Sequence, residues 1–306
     1  MATSLNLGVF DIYLKKSVMA TSLKDRPSSV AKPPPGNDVL ARLFAQARPL
    51  VMGVLNVTPD SFSDGGRFLD PQAAIAQAHR LVAEGVDILD IGGESTRPYG
   101  GAVRVPRDEE RARLAPVLPE VVALGVPVSI DTLKADIAAW ALDEGAAIVN
   151  DVWGLQGDPD MARVVAAHGA PVIIMHNRER ADPAIDIVAD VSAFFERSLA
   201  IAARAGIARE RIVLDPGIGF GKTAEQSIAC IARLDAWRGF GLPLLVGASR
   251  KRFIQSLVPS EPAERLGGSL AAHLIAVENG AAIVRVHDVA PTVQALAVAA
   301  AIRRAR

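Results

Sequence analysis

Short apolar runs recur eight times along the chain, and each stops at a polar or charged residue. The stops are Asn56, Gly93-Glu94, Asp131-Thr132, Asn150-Asp151, His176, Asp215, Ser249 and His287. Apolar runs of this length, bounded by turn residues and separated by amphipathic stretches of helix length, read as buried parallel strands. Eight of them predict an α/β chain folded as a (β/α)8 TIM barrel. In such a barrel the C-terminal ends of the strands converge on one mouth, so the polar stops form one ring around one ligand.

Composition agrees with that architecture. The chain has 306 residues, half of them apolar and few aromatic. Setting aside a front segment leaves about 260 residues, close to the ~250 of one barrel domain. Residues 24–37 are rich in Pro, Ser and Lys and include Pro33-Pro34-Pro35-Gly36. We therefore expect a single domain over 38–306 behind a flexible N-terminal leader, 1–37. Residues 1–18 carry Asp11, Lys15 and Lys16 and no cleavage site, so no signal peptide is expected. The pentapeptide Met-Ala-Thr-Ser-Leu at 1–5 returns at 19–23, which offers Met19 as a second start.

A net charge of −1 argues against a general nucleic-acid binder. No apolar stretch reaches the ~18 residues of a membrane span. The one cysteine, Cys230, excludes an intramolecular disulfide and a cysteine-rich metal site. It reads as a small buried residue in a reducing, cytoplasmic setting.

The strands are expected at 50–56, 86–92, 126–131, 147–150, 170–176, 211–215, 242–248 and 282–287. The intervening helices are expected at about 71–84 (with Asp70 as N-cap), 108–124, 133–144, 159–168 and 184–205. A further helix runs from the Gly-rich turn 216–222 to about Trp237. A short one starts at Arg250, a longer one covers 262–279, and Pro291 opens the last. The two longest loops, after strands 1 and 2, are of the length that is usually functional.

Seven segments, in this order, carry a resemblance. They are Gly53 to Gly66 (GVLNVTPDSFSDGG), Asp90 to Pro98 (DIGGESTRP), Ser129 to Thr132 (SIDT) and Val149 to Asp151 (VND). The remaining three are Asp215 to Lys222 (DPGIGFGK), Ser249 to Lys251 (SRK) and Val284 to Asp288 (VRVHD). Over about residues 50–304 the chain resembles the dihydropteroate synthase family of pterin-binding barrels. The resemblance implies a transferase of folate biosynthesis that joins para-aminobenzoate to 6-hydroxymethyl-7,8-dihydropterin diphosphate, releasing pyrophosphate and 7,8-dihydropteroate. It implies Mg2+ as cofactor and a homodimer as the assembly, and it makes sulfonamides, which mimic para-aminobenzoate, expected competitors.

The residue roles that it implies fit the chemistry. The pterin edge mixes donors and acceptors, which carboxylate and amide side chains can match. Asp131, Asn150 and Asp215 are expected on that edge, Lys251 on its oxygen-bearing side and Arg285 stacked on the ring. A lone strand-end Asp or Asn is more often a helix cap; three converging in one barrel mouth reverse that preference. The diphosphate needs cations, backbone donors or a metal, and Thr96, Arg97, Arg285 and His287 are the expected ligands. Asn56 is expected to hold Mg2+, although a lone strand-end Asn more often caps a loop. The para-aminobenzoate pocket is expected from Phe62, Ser63, Thr96, Pro98, Phe220, Lys251 and Arg252. Its carboxylate is expected at the helix N-terminus after Ser249.

The family often has Ser where this chain has Arg252, which leaves the backbone amide there as the donor. Loop 2 reads Arg-Pro-Tyr-Gly-Gly at 97–101 instead of the usual Arg-Pro-Gly, and 175–180 departs from the commoner pattern after strand 5. The implied bond change is dissociative: Arg97, Lys251, Arg285 and His287 stabilise the departing diphosphate, and no general base is required. His176 has two readings at this stage, ligand contact or structural hydrogen bond.

Two rival functions use the same barrel: a methyltetrahydrofolate-binding corrinoid methyltransferase, which needs no diphosphate site, and a catalytically silent pterin-binding barrel. A nucleotide-loop reading of Gly217 to Thr223 fails on spacing, because the position five before Gly221 is Pro216.

Overall fold

The computed structural model describes residues 39–58, 70–94 and 105–305. Eight parallel strands close into a barrel in sequence order, with β8 returning to pair with β1. The strands are β1 Leu50–Asn56, β2 Ile88–Gly92, β3 Val128–Asp131, β4 Ile148–Asp151, β5 Val172–Met175, β6 Ile212–Asp215, β7 Leu244–Val246 and β8 Ala281–Val286. Every expected strand is present. The expected leader, 1–37, lies outside the described residues, as do Phe62, Ser63, Thr96, Arg97 and Pro98.

The helices are α1 Val39–Phe44, α2 Pro71–Ala83, α3 Arg107–Leu114, α4 Leu118–Val122, α5 Ala135–Asp143 and α6 Met161–His168. They continue with α7 Ile187–Ala205, α8 Ala224–Ala232, α9 Arg252–Leu257, α10 Leu266–Glu278 and α11 Val289–Arg304. Asp70 caps α2 as expected, accepting from the N–H of Gln72.

Three expected elements are corrected. The single helix expected over 108–124 is two, α3 and α4. Pro116 lies between them, has no N–H to give to the preceding turn and clashes with it. The helix expected to run to Trp237 ends at Ala232 and gives way to a 3-10 stretch, Leu234–Phe240. The helix expected over 262–279 is a 3-10 turn, Pro262–Glu264, followed by α10.

Successive strand residues point to opposite faces, so positions two apart share a face. One apolar cluster gathers Leu50, Met52, Ile88, Ile148, Ile173, Val213, Leu245 and Ile283 from seven strands, and α1 closes it with Leu40 and Leu43. Two positions further along β2, β4, β6 and β8 stand Asp90, Asn150, Asp215 and Arg285, while β1, β5 and β7 carry Val54, Met175 and Gly247 there. On the four even-numbered strands the barrel thus changes from a hydrocarbon floor to a polar, charged layer within one inward step. The opposite strand face packs on the helices: a Cβ at Gly53 would meet Val86, Val289 and Leu81.

Candidate active site

Inward alternation decides which member of each polar stop enters the barrel. At the end of β3, Asp131 bonds to Arg285, while Thr132 accepts from the N–H of Lys134 and donates to Glu110. At the end of β4, Asn150 bonds inward to Asp90, while Asp151 accepts from the N–H groups of Trp153 and Leu155. The local turn bonds are therefore made by the neighbours, Thr132 and Asp151, which leaves Asp131 and Asn150 for the mouth.

A charged network lies across the layer. Arg285 donates from Nε to Asp90 Oδ2 at 2.6 Å and from Nη2 to Asp131 Oδ2 at 2.7 Å. Asn150 Nδ2 donates to Asp90 Oδ2 at 3.2 Å. Asp90 is fully buried, and the Arg285 side chain is 18% exposed. Two acceptors, Asp131 Oδ1 and Asn150 Oδ1, are buried with no protein donor reaching them among the described residues. Buried acceptors of this kind are rare in folded proteins unless something else satisfies them.

The sequence reading assigns no role to Asp90. It sits inside an apolar run instead of at its end. The available signal is parity: Asp90 is two residues past Ile88, an acid within a run that is otherwise buried.

Asp215 closes β6. Its Oδ1 accepts from the N–H of Gly217 at 2.7 Å. The turn that follows brings Phe220 under Lys251, whose Nζ lies 4.0 Å from the ring centroid, a cation–π distance. The segment carrying Lys251 is held from outside the barrel. Ala248 N–H donates to His273 Nε2, Arg250 N–H to Ser269 Oγ, and the Arg250 guanidinium pairs with Asp288. Arg250 itself has φ +57°, an uncommon value for a residue with a side chain. These clamps fix Lys251 as the N-cap of α9. Arg252 begins that helix with an exposed side chain.

His287 follows β8 and is half-buried. Ser249 Oγ accepts from its backbone N–H and lies 3.0 Å from its Nδ1. The hydroxyl proton can then go to Nδ1, which makes Nε2 the ring N–H donor. Asn56 ends β1, half-buried, paired in register with Gly92.

Electrostatics tie these groups into one site. Burial pushes Asp131 up to about 7, aided by Asp90 and opposed by Arg285 and Lys251. Burial pushes Asp215 up to about 6, against Gly217 N–H, Lys251 and Arg285. Lys251 is pushed down to about 7 by burial and by Arg285, against Asp215. Burial pulls Arg285 down, but Asp90 and Asp131 more than offset it and raise it. His287 falls to about 3 through burial, Arg285, Arg250 and Lys251, so its imidazole is neutral. Mutual perturbation of this kind marks groups that share one low-dielectric cavity.

His176 resolves to its structural reading. It is fully buried, with Nδ1 2.7 Å from Lys222 Nζ and Nε2 3.0 Å from Asp190 Oδ2. At the stem of the second loop, Lys134 pairs with both Glu94 and the fully buried Glu110. No helix among the described residues is long and apolar enough to cross a membrane.

Comparison with known proteins agrees with this geometry. The family described as pterin binding enzyme matches residues 52–287. The dihydropteroate synthase of Bacillus subtilis is 45% identical over 248 residues, covering 81% of this chain and 86% of that protein. The dihydropteroate synthase of Escherichia coli K12 is 42% identical over 270 residues, covering 84% and 95%.

Among solved structures, dihydropteroate synthase from Clostridium difficile in the presence of pteroic acid superimposes with a TM-score of 0.80 at 46% identity. It covers 83% of this chain and 97% of that one. Dihydropteroate synthase from Xanthomonas albilineans in complex with 7,8-dihydropteroate gives 0.77 at 43% identity, covering 84% and 94%. With its closed barrel, its charged layer and these relatives together, the chain belongs to the dihydropteroate synthase family, which are transferases.

Proposed function

We propose that this chain condenses 6-hydroxymethyl-7,8-dihydropterin diphosphate with para-aminobenzoate to give 7,8-dihydropteroate and pyrophosphate. The observation that carries the reading is the pair of buried acceptors, Asp131 Oδ1 and Asn150 Oδ1, with the Asp215 carboxylate tied to the same Arg285 and Lys251 that act on Asp131. An aminopyrimidinone edge presents N–H donors to such acceptors, and burial strengthens each bond. Lys251 donates to the ring's carbonyl side. Arg285, held on Asp90 and Asp131, presents a fixed planar cation beside the heterocycle.

The bond that breaks joins the pterin methylene carbon to the diphosphate oxygen, and the electron pair leaves with the diphosphate. The bond that forms joins the carbon to the aniline nitrogen, which then releases its proton to solvent. A neutral aniline is nucleophilic, so the residues act by binding, orienting and balancing charge. Arg285 and the Nε2–H of His287 bind the departing diphosphate, a role that the motif also assigns to Thr96 and Arg97. Phe220, Lys251 and Arg252 contribute to the para-aminobenzoate pocket with Phe62, Ser63, Thr96 and Pro98, and sulfonamides compete there.

Asn56 offers one neutral amide oxygen, and no group of three or more His, Cys, Asp or Glu among the described residues would hold a bare ion. That donor set suits a hard cation that keeps most of its waters and arrives with the diphosphate. Bound Mg2+ would supply charge neutralisation for the leaving group. A cytoplasmic setting fits a chain whose one cysteine is buried and reduced.

The test is turnover of the two substrates by the purified protein, with and without Mg2+, beside calorimetry of the pterin diphosphate. Mg2+-dependent formation of dihydropteroate is expected. A pterin-binding barrel without catalysis would bind and not turn over. A corrinoid methyltransferase would bind methyltetrahydrofolate and show no diphosphate or Mg2+ dependence.

A homodimer is part of the same reading. Ile275 on α10 and Val298 and Ile302 on α11 are exposed, and these two helices pack against each other. A second copy covering this apolar face would bury it. Light scattering is expected to give twice the chain mass for the native protein and one chain mass for Ile302→Glu. A native monomer would remove the dimer from the proposal.

A further inference from the structure

The Gly-rich turn after β6 is held from beneath by two buried residues that the binding chemistry does not use. Lys222 and His176 are 2% and 0% exposed. Lys222 Nζ donates to the carbonyl of Gly217 at 2.9 Å and to that of Phe220 at 3.1 Å. It also lies 2.7 Å from His176 Nδ1.

An ammonium only donates, so His176 Nδ1 is the acceptor and Nε2 carries the proton, which goes to Asp190. Asp190 is fixed in turn by Arg178 at 2.9 Å. His176 is neutral, pushed down to about 3 by burial and Lys222. The backbones also meet: His176 N–H donates to the Asp215 carbonyl at 2.8 Å. Gly217, at φ +66°, packs so closely that a Cβ would collide with the His176 carbonyl oxygen, and one at Gly221 would collide with Arg178.

The consequence falls on Asp215. Its carboxylate is oriented by the Gly217 N–H, and Gly217 is the residue whose carbonyl Lys222 grips. A buried ammonium is expensive to keep, and an apolar side chain of equal length would fill the same space. Its bonds go to the turn that carries Asp215 and Phe220, and to the imidazole beneath that turn.

We propose that Lys222 and His176 are positioning residues for pterin recognition: the Lys222 ammonium, held by the neutral His176, sets the turn so that Gly217 aims the Asp215 carboxylate. This rests on the assignment of Asp215 to the pterin, made above.

The test is calorimetric binding of 6-hydroxymethylpterin to the full chain and four variants, each first checked for a cooperative thermal transition. Lys222→Met is expected to lose at least about tenfold in affinity. His176→Phe is expected to lose a similar factor. His176→Asn keeps an acceptor where Nδ1 lies and is expected within about threefold of the native protein. The double variant Lys222→Met/His176→Phe is expected to lose no more than either single change, as one coupled unit requires.

Native-like affinity in folded Lys222→Met, or equal losses in His176→Phe and His176→Asn, would overturn the proposal. If Lys222→Met does not fold, the two His176 variants decide alone. Failure of the native protein to bind the pterin would instead sink the assignment of Asp215, so the two failures are distinct.

Discussion

Arg285→Met is expected to destabilise the folded protein by about 3–5 kcal/mol, the usual cost of removing one partner from a buried charge pair. Arg285 stands between two carboxylates, Asp90 and Asp131, that are 0% and 6% exposed at their side chains. Methionine would fill much of the volume but leave both carboxylates facing each other in low dielectric. Two like charges so placed cannot both stay ionised, so one holds a proton. A carboxyl whose folded pKa is raised contributes stability below its unfolded value and loses it as pH rises through the folded value. Asp131 is already raised to about 7 with the arginine present. The variant is therefore expected to recover stability, relative to the native protein, as pH is lowered from 8 toward 5. Adding Asp90→Asn should restore part of the loss by removing one of the charges. Urea unfolding across that pH range measures all three quantities. A loss below about 1 kcal/mol at pH 8, or no pH dependence of the difference, would show that Asp90 and Asp131 do not depend on Arg285.

Much of this arrangement is legible in the sequence, and the exceptions have physical reasons. Strand ends are legible because an apolar run that stops at a polar residue marks both the end of the hydrocarbon layer and the entry to the mouth; Asp131, Asn150 and Asp215 follow from that rule. Asp90 does not, since it lies within its run, fully buried, with its carboxylate satisfied by Arg285 and Asn150. His176 misleads in the opposite sense. It is a run stop like the others, yet its ring is enclosed by Lys222 and Asp190. The Lys222 contact spans 46 residues of chain, and such pairings carry no local periodicity. The break between α3 and α4 was readable at Pro116, where the backbone rule outweighs the apolar pattern. Nine of the sixteen strand ends fall one or two residues short of the expected limit because hydrogen-bonded pairing covers less than the apolar run, while β4 and β8 each gain one residue at one end. The roles proposed for Phe62, Ser63, Thr96, Arg97 and Pro98 rest on motif alone, and these residues lie outside the described residues.

Asp215→Ala is expected to remove measurable pterin binding while leaving a folded barrel. The carboxylate accepts from the Gly217 N–H with Oδ1, and its remaining lone pairs are the proposed acceptors for the pterin's donors. Each donor left unpaired in a buried site costs about 1–3 kcal/mol, so two of them cost about 2–6 kcal/mol, at least about thirtyfold in affinity. The acid–base behaviour of the same residue gives an independent check. Burial raises Asp215 to about 6, so its contribution to stability is present below the unfolded value near ~3.9 and fades as pH rises through about 6. Binding runs the other way, because only the ionised form accepts both donors. Pterin affinity is therefore expected to fall about tenfold per pH unit below about 6, while the fold gains stability from the same proton. Asp215→Asn keeps an oxygen for Gly217 but carries no titrating proton, so it should bind weakly at every pH with that component of the slope gone. Calorimetry of 6-hydroxymethylpterin from pH 5 to 8 on the native protein and both variants decides the matter. A native affinity that does not change between pH 5 and 7, or an Asp215→Ala protein that binds within threefold of native, would move the pterin edge away from β6. The opposition of the two pH trends is what a binding carboxylate held in a dry layer must show: the burial that strengthens its bonds to the ligand also disfavours its charge when the ligand is gone.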